Sequence, residues 1–222
     1  ADARKKARRR RAGAAIGRAV DSPDPPPGGA GGASTGLPTK TSQGDLNLAI
    51  YGVHNESPRI VLTTTSVEDC FWTTIDAFNL AEEFQCPVLL LSEQALATRK
   101  MNVNPPHLAD VRVIDRLKPT PEALAGEYKR YEDTDTGISA MSVPGMTGGI
   151  YTSTGIEHDE SGDPGYTPAL AMKMKKKRYR KFDTILERYP EKFIEVTGDE
   201  GDVEVGVIAF GSTQGVIREA ID

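Results

Sequence analysis

The sequence predicts an α/β fold built on a parallel sheet, and three features of residues 59–91 carry this prediction. Residues 59–64 have the length and composition of a strand, and residues 88–91 are a continuous apolar run. A strand that is apolar on both faces belongs inside a parallel sheet covered by helices. Between the two strands, residues 66–85 repeat apolar side chains at helical spacing. Strand, helix and strand therefore predict one right-handed βαβ unit.

Hydroxyl side chains follow the first of these strands, at Thr64, Thr65 and Ser66. Open α/β sheets bind ligands at the carboxyl ends of their strands, so these residues are candidate ligand contacts. Ser66 can also cap the helix, with Asp69 three residues further on in a variant of the capping box. Ligand contact and helix capping both stay open for these residues, and for residues 92–94 after the second strand.

Residues 31–41 form a glycine- and hydroxyl-rich loop before a helix predicted from Thr39 or Thr41 to Tyr51. The backbone N–H groups and hydroxyls of such a loop can hold an anion at a helix N-terminus. The loop is not a Walker A motif, because Leu and Pro follow Gly36 where Lys and Ser or Thr are required, and it contains no G-x-G-x-x-G. A loop that caps a helix and a loop that binds substrate are both consistent with it.

Residues 1–30 do not have the composition of a folded domain. A basic run at residues 4–11 is followed by an Ala- and Gly-rich stretch and a Pro-rich stretch, with little apolar surface to offset the entropy of ordering. We expect a disordered or non-native segment. A nucleic acid-binding arm is an alternative, and the Arg, Pro, Ala and Gly richness is also typical of a high-GC gene translated out of frame.

The charge distribution restricts the class of partner. The chain has a formal net charge of −5, from 27 basic and 32 acidic residues. Residues 1–20 hold eight of the basic residues and one Asp, which leaves 19 basic and 31 acidic residues in the remainder. Such an acidic body argues against nucleic acid as the main partner. No apolar run approaches the roughly 18 residues of a membrane span.

The two cysteines, Cys70 and Cys86, do not have the spacing of a zinc or iron–sulfur motif. We therefore expect reduced thiols in a cytoplasmic protein. Residues 155–164 hold five side chains that could ligate a metal, but without the order of an EF-hand. We expect a subunit-contact loop there, with a divalent-cation site as the alternative. These five residues are Glu157, His158, Asp159, Glu160 and Asp163.

The remaining segments are predicted from the spacing of apolar residues and from the Gly-, Pro- and polar-rich stretches between them. Residues 101–136 read as irregular excursions around one short strand at 111–114. Residues 173–188 read as a basic helix that is solvated or faces a subunit, with a membrane-surface or RNA-binding helix as the alternative. Residues 203–210 predict a strand, and residues 214–221 predict the opening of a helix. A single βα unit cannot cover its own strand, so we expect this unit to begin a second domain.

The loop at residues 31–41, read as GGASTGLPTKT, resembles the substrate-side loop of the alpha subunit of 2-oxoacid:ferredoxin oxidoreductases. The similarity covers roughly residues 31–222, with several separated matches in the family's order. Further matches lie at residues 64–71, 77–82, 87–92, 155–160 and 177–181. The resemblance implies a C-terminal part of a pyrimidine-type thiamine diphosphate domain over residues 31–185. Residues 186–222 would then be a linker and the first βα unit of a second α/β domain.

The resemblance also implies an activity, which is oxidative decarboxylation of 2-oxoglutarate or pyruvate to an acyl-CoA with ferredoxin as electron acceptor. The implied cofactors are thiamine diphosphate and Mg²⁺, shared with or held by a beta subunit, and an iron–sulfur cluster in that partner alone. The implied partners are the beta subunit, ferredoxin, coenzyme A and the 2-oxoacid. A non-catalytic module that binds an anion or nucleotide, or mediates subunit contacts, is the alternative.

The site residues carried over from the family are substrate contacts at Ser34, Thr35, Gly36 and Thr39, and cofactor contacts at Thr64, Thr65 and Ser66. Ala30 stands where the family has an arginine, which removes a bidentate partner for the substrate carboxylate. No catalytic residue is assigned, because the glutamate that activates the aminopyrimidine lies upstream in the family. We therefore expect this polypeptide to be inactive on its own.

Overall fold

The computed structural model describes residues 18–20, 44–52, 57–190, 192–198 and 205–221 of the 222-residue chain. The described residues belong to two compact units. The first unit contains the described residues within 1–82, 86–114 and 199–222. The second unit contains residues 83–85 and the described residues within 115–198. Each unit is described by itself.

A three-stranded parallel sheet lies at the centre of the first unit. Its strands are β1 (Arg18–Val20), β2 (Ile60–Thr63) and β3 (Val88–Ser92), in the order β1-β3-β2. Each neighbouring pair is parallel. The central place of β3 explains its continuous apolar sequence, and the predicted parallel α/β fold is confirmed. Arg18–Val20 lie within the segment 1–30 that we expect to be disordered or non-native, and they pair with the free edge of β3. The expectation for the segment as a whole stays a prediction.

Helix α2 (Asp69–Phe84) connects β2 to β3 and completes the predicted βαβ unit. Its buried apolar residues within the first unit lie three and four positions apart, so they share one face. These residues are Ala77, Leu80 and Ala81. The other regular elements of this unit are α1 (Gly44–Tyr51), α3 (Gln94–Thr98), a 3₁₀ turn at Leu108–Asp110 and the later helix Thr213–Ile221, labelled α6 below.

Two predicted strands of the first unit are absent from the described residues. Residues 111–114 are irregular because the Asn79 amide takes up their backbone groups: Nδ2 donates to the Arg112 carbonyl and Oδ1 accepts from the Ile114 N–H, each at 2.9 Å. Residues 205–210 are also irregular, and Ile208 is fully exposed. A strand needs a neighbouring edge, and no described strand lies beside this segment.

The second unit contains α4 (Pro121–Ala125) and the 21-residue helix α5 (Pro168–Arg188), embedded in long loops. The Thr167 hydroxyl caps α5 by accepting from the Leu170 N–H, and Pro168 occupies the first turn. These two signals explain why α5 begins before the predicted residue 173. No helix in the described part of the chain is both long and apolar enough to cross a bilayer.

Candidate functional site

Two buried polar atoms without hydrogen-bond partners follow the carboxyl ends of adjacent parallel strands. Thr64 Oγ1 follows β2 and Glu93 Oε1 follows β3. The strands are in register there, with Thr63 opposite Leu91, and the Thr64 N–H donates to the Leu91 carbonyl at 3.3 Å. An unsatisfied buried polar group costs about 1–3 kcal/mol. Such atoms at the ligand-binding edge of an α/β sheet mark the candidate site.

Thr65 and Ser66 have a different environment, because both belong to the cap of α2. The Thr65 N–H and Oγ1 donate to Asp69 Oδ2 at 2.8 and 2.9 Å, and the Asp69 N–H donates to Ser66 Oγ at 3.1 Å. The Thr73 hydroxyl donates to the other carboxylate oxygen at 2.8 Å. The helix-capping interpretation is therefore confirmed for Thr65 and Ser66. A carboxylate of the chain itself lies at this end of α2, where an anionic ligand would otherwise bind.

Glu93 differs from an ordinary cap. It occupies the N-cap position of α3, yet its side chain makes no capping hydrogen bond. Of the two interpretations left open for residues 92–94, ligand contact is thus favoured for Glu93. The sequence signal was its position after a buried parallel strand, and its missing partner becomes visible only in the folded chain.

The acidic loop at residues 155–164 is tied to α5 by paired charges. The Glu157 carboxylate accepts hydrogen bonds from both Nη1 and Nη2 of Arg178, each at 2.9 Å. Glu160 accepts from the Asp133 N–H at 2.7 Å and pairs with Lys173 at 3.3 Å. No described residues form a group of three or more side chains suited to a metal ion. Within the second unit, these two carboxylates therefore fix the loop to α5 and to the backbone at Asp133.

The carboxyl groups of this loop are stabilised in their ionised form. Hydrogen bonds from Arg178 lower the pKa of Glu157, and the backbone N–H of Asp133 lowers the pKa of Glu160. Burial opposes the ionisation of Asp159, but backbone N–H groups at three successive positions outweigh it and lower its pKa. These donors are the N–H groups of Ser161, Gly162 and Asp163.

A buried basic residue on α5 was not predicted from the sequence. Lys177 is only 5% exposed, and desolvation, followed by the nearby charges of Lys181 and Arg130, lowers its pKa to about 7. Arg130 is 8% exposed, with its Nη2 bonded to Gln85 Oε1 and its Nε without a partner. In a lysine-rich run nothing distinguishes one lysine from the next except its place on the buried face, three residues after Met174.

Comparison with models of protein families gives a match that covers most of the chain. Residues 30–177 match the model of the family described as pyruvate flavodoxin/ferredoxin oxidoreductase, thiamine diphosphate-binding. The chain belongs to this family. The match includes β2, α2 and β3 and therefore both Thr64 and Glu93, and it confirms the thiamine diphosphate-binding class predicted from the sequence.

Curated relatives and a solved structure agree with the family match. An Aeropyrum pernix 2-oxoacid:ferredoxin oxidoreductase alpha subunit is 38% identical, over 86% of this chain and 29% of the relative. A Mycobacterium tuberculosis 2-oxoglutarate oxidoreductase subunit, KorA, is 37% identical, over 86% of this chain and 28% of the relative. The resemblance to these alpha subunits is thus confirmed.

The solved structure is a 2-oxoglutarate:ferredoxin oxidoreductase from Magnetococcus marinus with 2-oxoglutarate, coenzyme A and succinyl-CoA bound. It is 46% identical, with a TM-score of 0.79, over 86% of this chain and 32% of that chain. The chain spans less than one third of the length of each of these three relatives.

The strand-end residues of this family member fit one half of thiamine diphosphate better than the other. Carboxylates at Asp69 and Glu93 give this edge of the sheet acidic character, and the α2 terminus already holds the Asp69 carboxylate. A diphosphate would be repelled there, whereas an uncharged heterocycle with amino and ring-nitrogen groups could bond to the free Thr64 and Glu93 atoms. The residues therefore fit the aminopyrimidine half of the cofactor.

The predicted substrate contacts Ser34, Thr35, Gly36 and Thr39 lie outside the described residues. Their roles stay predictions, as do the cofactor roles of Thr65 and Ser66. Among the predicted cofactor residues, only Thr64 has a buried polar atom left free for a ligand. Glu93 joins it from a loop that the sequence marked as a ligand contact without assigning a role.

Proposed function

We propose that this chain is the pyrimidine-side part of an alpha subunit of a 2-oxoacid:ferredoxin oxidoreductase. The reaction would convert a 2-oxoacid, coenzyme A and two oxidised ferredoxins into an acyl-CoA, CO₂, two reduced ferredoxins and a proton. Thiamine diphosphate supplies the carbanion chemistry when bound. The observation that carries the proposal is the pair of unpartnered buried atoms, Thr64 Oγ1 and Glu93 Oε1, at the strand ends of a thiamine diphosphate-binding family member.

The residues of this chain would orient the cofactor and the substrate. Thr64 and Glu93 would bond to the aminopyrimidine, while Thr65 and Ser66 hold the turn that places Thr64. The hydroxyls of Ser34, Thr35 and Thr39, with close backbone approach at Gly36, would bond to the carboxylate of 2-oxoglutarate or pyruvate. The relatives whose names specify 2-oxoglutarate favour this 2-oxoacid over pyruvate.

The acidic strand-end edge supports a division of labour with a partner subunit. The alpha-subunit names of the relatives imply such a partner. We propose that a beta subunit binds the diphosphate through Mg²⁺, carries the iron–sulfur cluster, and delivers electrons to ferredoxin in the cytoplasm. Because only the pyrimidine side would be present, the isolated chain should not reduce viologen dyes even with thiamine diphosphate added.

The test is an anaerobic viologen-reduction assay of the full-length alpha subunit co-expressed with its beta subunit. We expect reduction that requires a 2-oxoacid and coenzyme A, with 2-oxoglutarate preferred over pyruvate. Thr64→Val should raise the thiamine diphosphate concentration needed for half-maximal rate by about tenfold. Thr98→Val is the matched control, because its exposed hydroxyl bonds only within α3.

Two results would contradict the proposal. One is an assembled complex that binds no thiamine diphosphate and reduces no dye with either 2-oxoacid, which would favour a non-catalytic anion-binding or subunit-contact module. The other is dye reduction by the isolated chain, which would remove the need for a partner subunit.

A further inference from the structure

Three basic side chains of the second unit lie near one another around Gln85. The Gln85 side-chain Oε1 accepts from Arg130 Nη2 at 2.7 Å, and its backbone carbonyl accepts from Lys181 Nζ at 3.1 Å. Lys177 lies one turn before Lys181 on α5, and the charges of Lys181 and Arg130 both act on it. We call Arg130 and Lys177 the buried cation pair, because they are only 8 and 5% exposed.

No described carboxylate forms an ion pair with either member of the buried cation pair. The carboxylates that face α5 are instead bonded to other cations of this helix. These pairs are Asp133–Arg180, Glu157–Arg178 and Glu160–Lys173, at 2.7, 2.9 and 3.3 Å. A buried charge is costly unless an opposite charge and hydrogen bonds compensate it. The buried cation pair therefore differs from the neighbouring basic residues in lacking a counter-charge from the described chain.

The guanidinium of Arg130 is held so that one of its donors stays free. Its Cζ atom lies 4.9 Å from the centre of the Tyr131 ring and 5.8 Å from that of Tyr151. Both distances are within the range of cation–π contacts. In the plane of the guanidinium, Nη2 bonds to Gln85, but Nε is buried without a partner. A buried N–H donor of this kind requires an acceptor, and the in-plane position at Nε is where an acceptor would bond.

We propose that the buried cation pair binds one small monovalent anion of the size of chloride, held by Arg130 Nε and the ammonium group of Lys177. The degree of burial selects this class of ligand. Two side chains that are more than nine-tenths buried do not admit a nucleotide or an acidic peptide. Dehydration also costs a divalent anion, such as sulfate, more than a monovalent one, because the cost rises with the charge.

The anion and a proton would bind together. Desolvation, followed by the charges of Lys181 and Arg130, lowers the pKa of Lys177 to about 7; Asp133 raises it and Arg178 lowers it further. An anion beside the ammonium group would raise this pKa again. Between about 7 and the ordinary value of 10.5, binding would therefore take up a proton. The affinity for the anion should fall as pH rises through this window, by up to about tenfold per pH unit.

Calorimetric titration of chloride into the full-length alpha subunit, assembled with its beta subunit, tests the proposal. Sodium gluconate keeps the ionic strength constant, because its anion is too large for the site. We expect saturable chloride binding that takes up a proton between pH 7 and 10, as measured in buffers of different ionisation enthalpy. Lys177→Met should weaken chloride binding by about tenfold or more and abolish the proton uptake. Lys176→Met is the matched control, because Lys176 is the exposed neighbour on α5, and both quantities should stay unchanged.

A second variant separates the roles of the two cations. Arg130→Lys removes the Nε donor but leaves Lys177 in place, so it should weaken chloride binding by about tenfold and keep the proton uptake. Equal chloride affinity and equal proton uptake in wild type and Lys177→Met would overturn the proposal. These readouts are binding heats, so loss of the proposed enzymatic activity leaves the test intact.

Bromide in place of chloride locates the site without any variant. Crystals of the same complex grown with sodium bromide should give an anomalous scattering peak within hydrogen-bond distance of Arg130 Nε. The Lys177→Met crystals should lack this peak. Peaks at surface or lattice positions alone would mean an adventitious ion only, and would overturn the proposal. A carboxylate from another part of the assembled enzyme bonded to Arg130 Nε would overturn it as well.

Discussion

The strand-end edge of the first unit and the acidic loop of the second unit use their carboxylates in opposite ways. In the loop, Glu157 and Glu160 bond to Arg178, Lys173 and a backbone N–H. At the strand ends, one oxygen of Glu93 is buried without any partner. The number of carboxylates therefore does not identify a site. The loop has more carboxylates, and they stabilise the structure. The strand ends have fewer, but one buried carboxylate oxygen there is available to a ligand.

The same contrast applies to buried cations. Arg178 is matched by a carboxylate, whereas Lys177, one residue earlier, is buried beside further positive charge. Burial of a charge that is not compensated disfavours the charged form, so its effect should appear as a pH dependence of stability. The four predictions that follow test this distinction between compensated and uncompensated groups, beginning with the largest expected effect.

Replacing Lys177 by Met should stabilise the chain. The native pKa of Lys177, about 7, lies below its ordinary value of 10.5, so between these values the unfolded chain binds a proton that the native chain lacks. Wild-type stability should therefore rise with pH through this window. Lys177→Met removes the penalty, and we expect a gain of about 4 kcal/mol near pH 7 that shrinks by ~1.4 kcal/mol per pH unit and vanishes near pH 10.

The measurement is denaturant unfolding of the full chain between pH 7 and 10. Lys118→Met is the control, since the same substitution at an exposed lysine should leave both the free energy of unfolding and its slope unchanged. Among the described residues, the charges of Lys181, Arg130 and Arg178 lower the pKa of Lys177, and the charge of Asp133 raises it. A Lys177→Met variant that is less stable and keeps the wild-type slope would show that the lysine is compensated after all.

Asp69→Ala should be the next largest change and should destabilise the first unit. The carboxylate accepts from the Thr65 N–H, the Thr65 hydroxyl and the Thr73 hydroxyl, and it lies in the first turn of α2. Loss of a capping carboxylate costs about 2 kcal/mol. Glu68→Ala is the matched control, because that adjacent carboxylate is exposed. Equal unfolding free energies for the two variants would show that the Asp69 carboxylate does not stabilise this turn.

The sequence alone predicted the helices and strands that pack against elements from the same short segment. β2, α2 and β3 form one βαβ unit, and their periodicity, the Ser66 cap and Pro87 predicted them within a few residues. The strand predicted at 111–114 does not form, because the side-chain amide of Asn79, more than thirty residues away, makes the hydrogen bonds of its backbone groups. A strand pattern predicts the need for partners, but it cannot predict that a side chain supplies them.

The candidate site was predictable in position and not in detail. The rule for parallel sheets led to residues 64–66 and 92–94, and the folded chain divides them by their contacts. Thr65 and Ser66 are caps, whereas Thr64 and Glu93 keep unpartnered atoms. Hydroxyl and carboxyl side chains look alike in a sequence whether they are satisfied or not, because their partners depend on the packing of the whole unit.

Glu93→Gln should weaken cofactor binding without loss of stability. If the free carboxylate oxygen bonds to the aminopyrimidine, its neutral analogue should raise the dissociation constant for thiamine diphosphate by about tenfold, measured by calorimetry on the alpha–beta complex. The free energy of unfolding without cofactor should stay equal or rise, because a buried charge is removed. Glu127→Gln, at an exposed position, is the control. Unchanged affinity together with lower stability would make Glu93 structural.

The Glu157–Arg178 pair should give the smallest effect. Both side chains are partly exposed, at 26 and 33%, so a double-mutant cycle with Glu157→Ala and Arg178→Ala should yield a coupling of about 0.5–1 kcal/mol. Because the pKa of Glu157 is lowered, this coupling is present at neutral pH and is lost as the pH falls through that lowered pKa. Activity of the alpha–beta complex should be unchanged in both variants, because the pair holds a loop that carries none of the predicted substrate or cofactor contacts. A divalent cation that raises the stability of wild type but not of Glu157→Ala would instead make this loop a metal site.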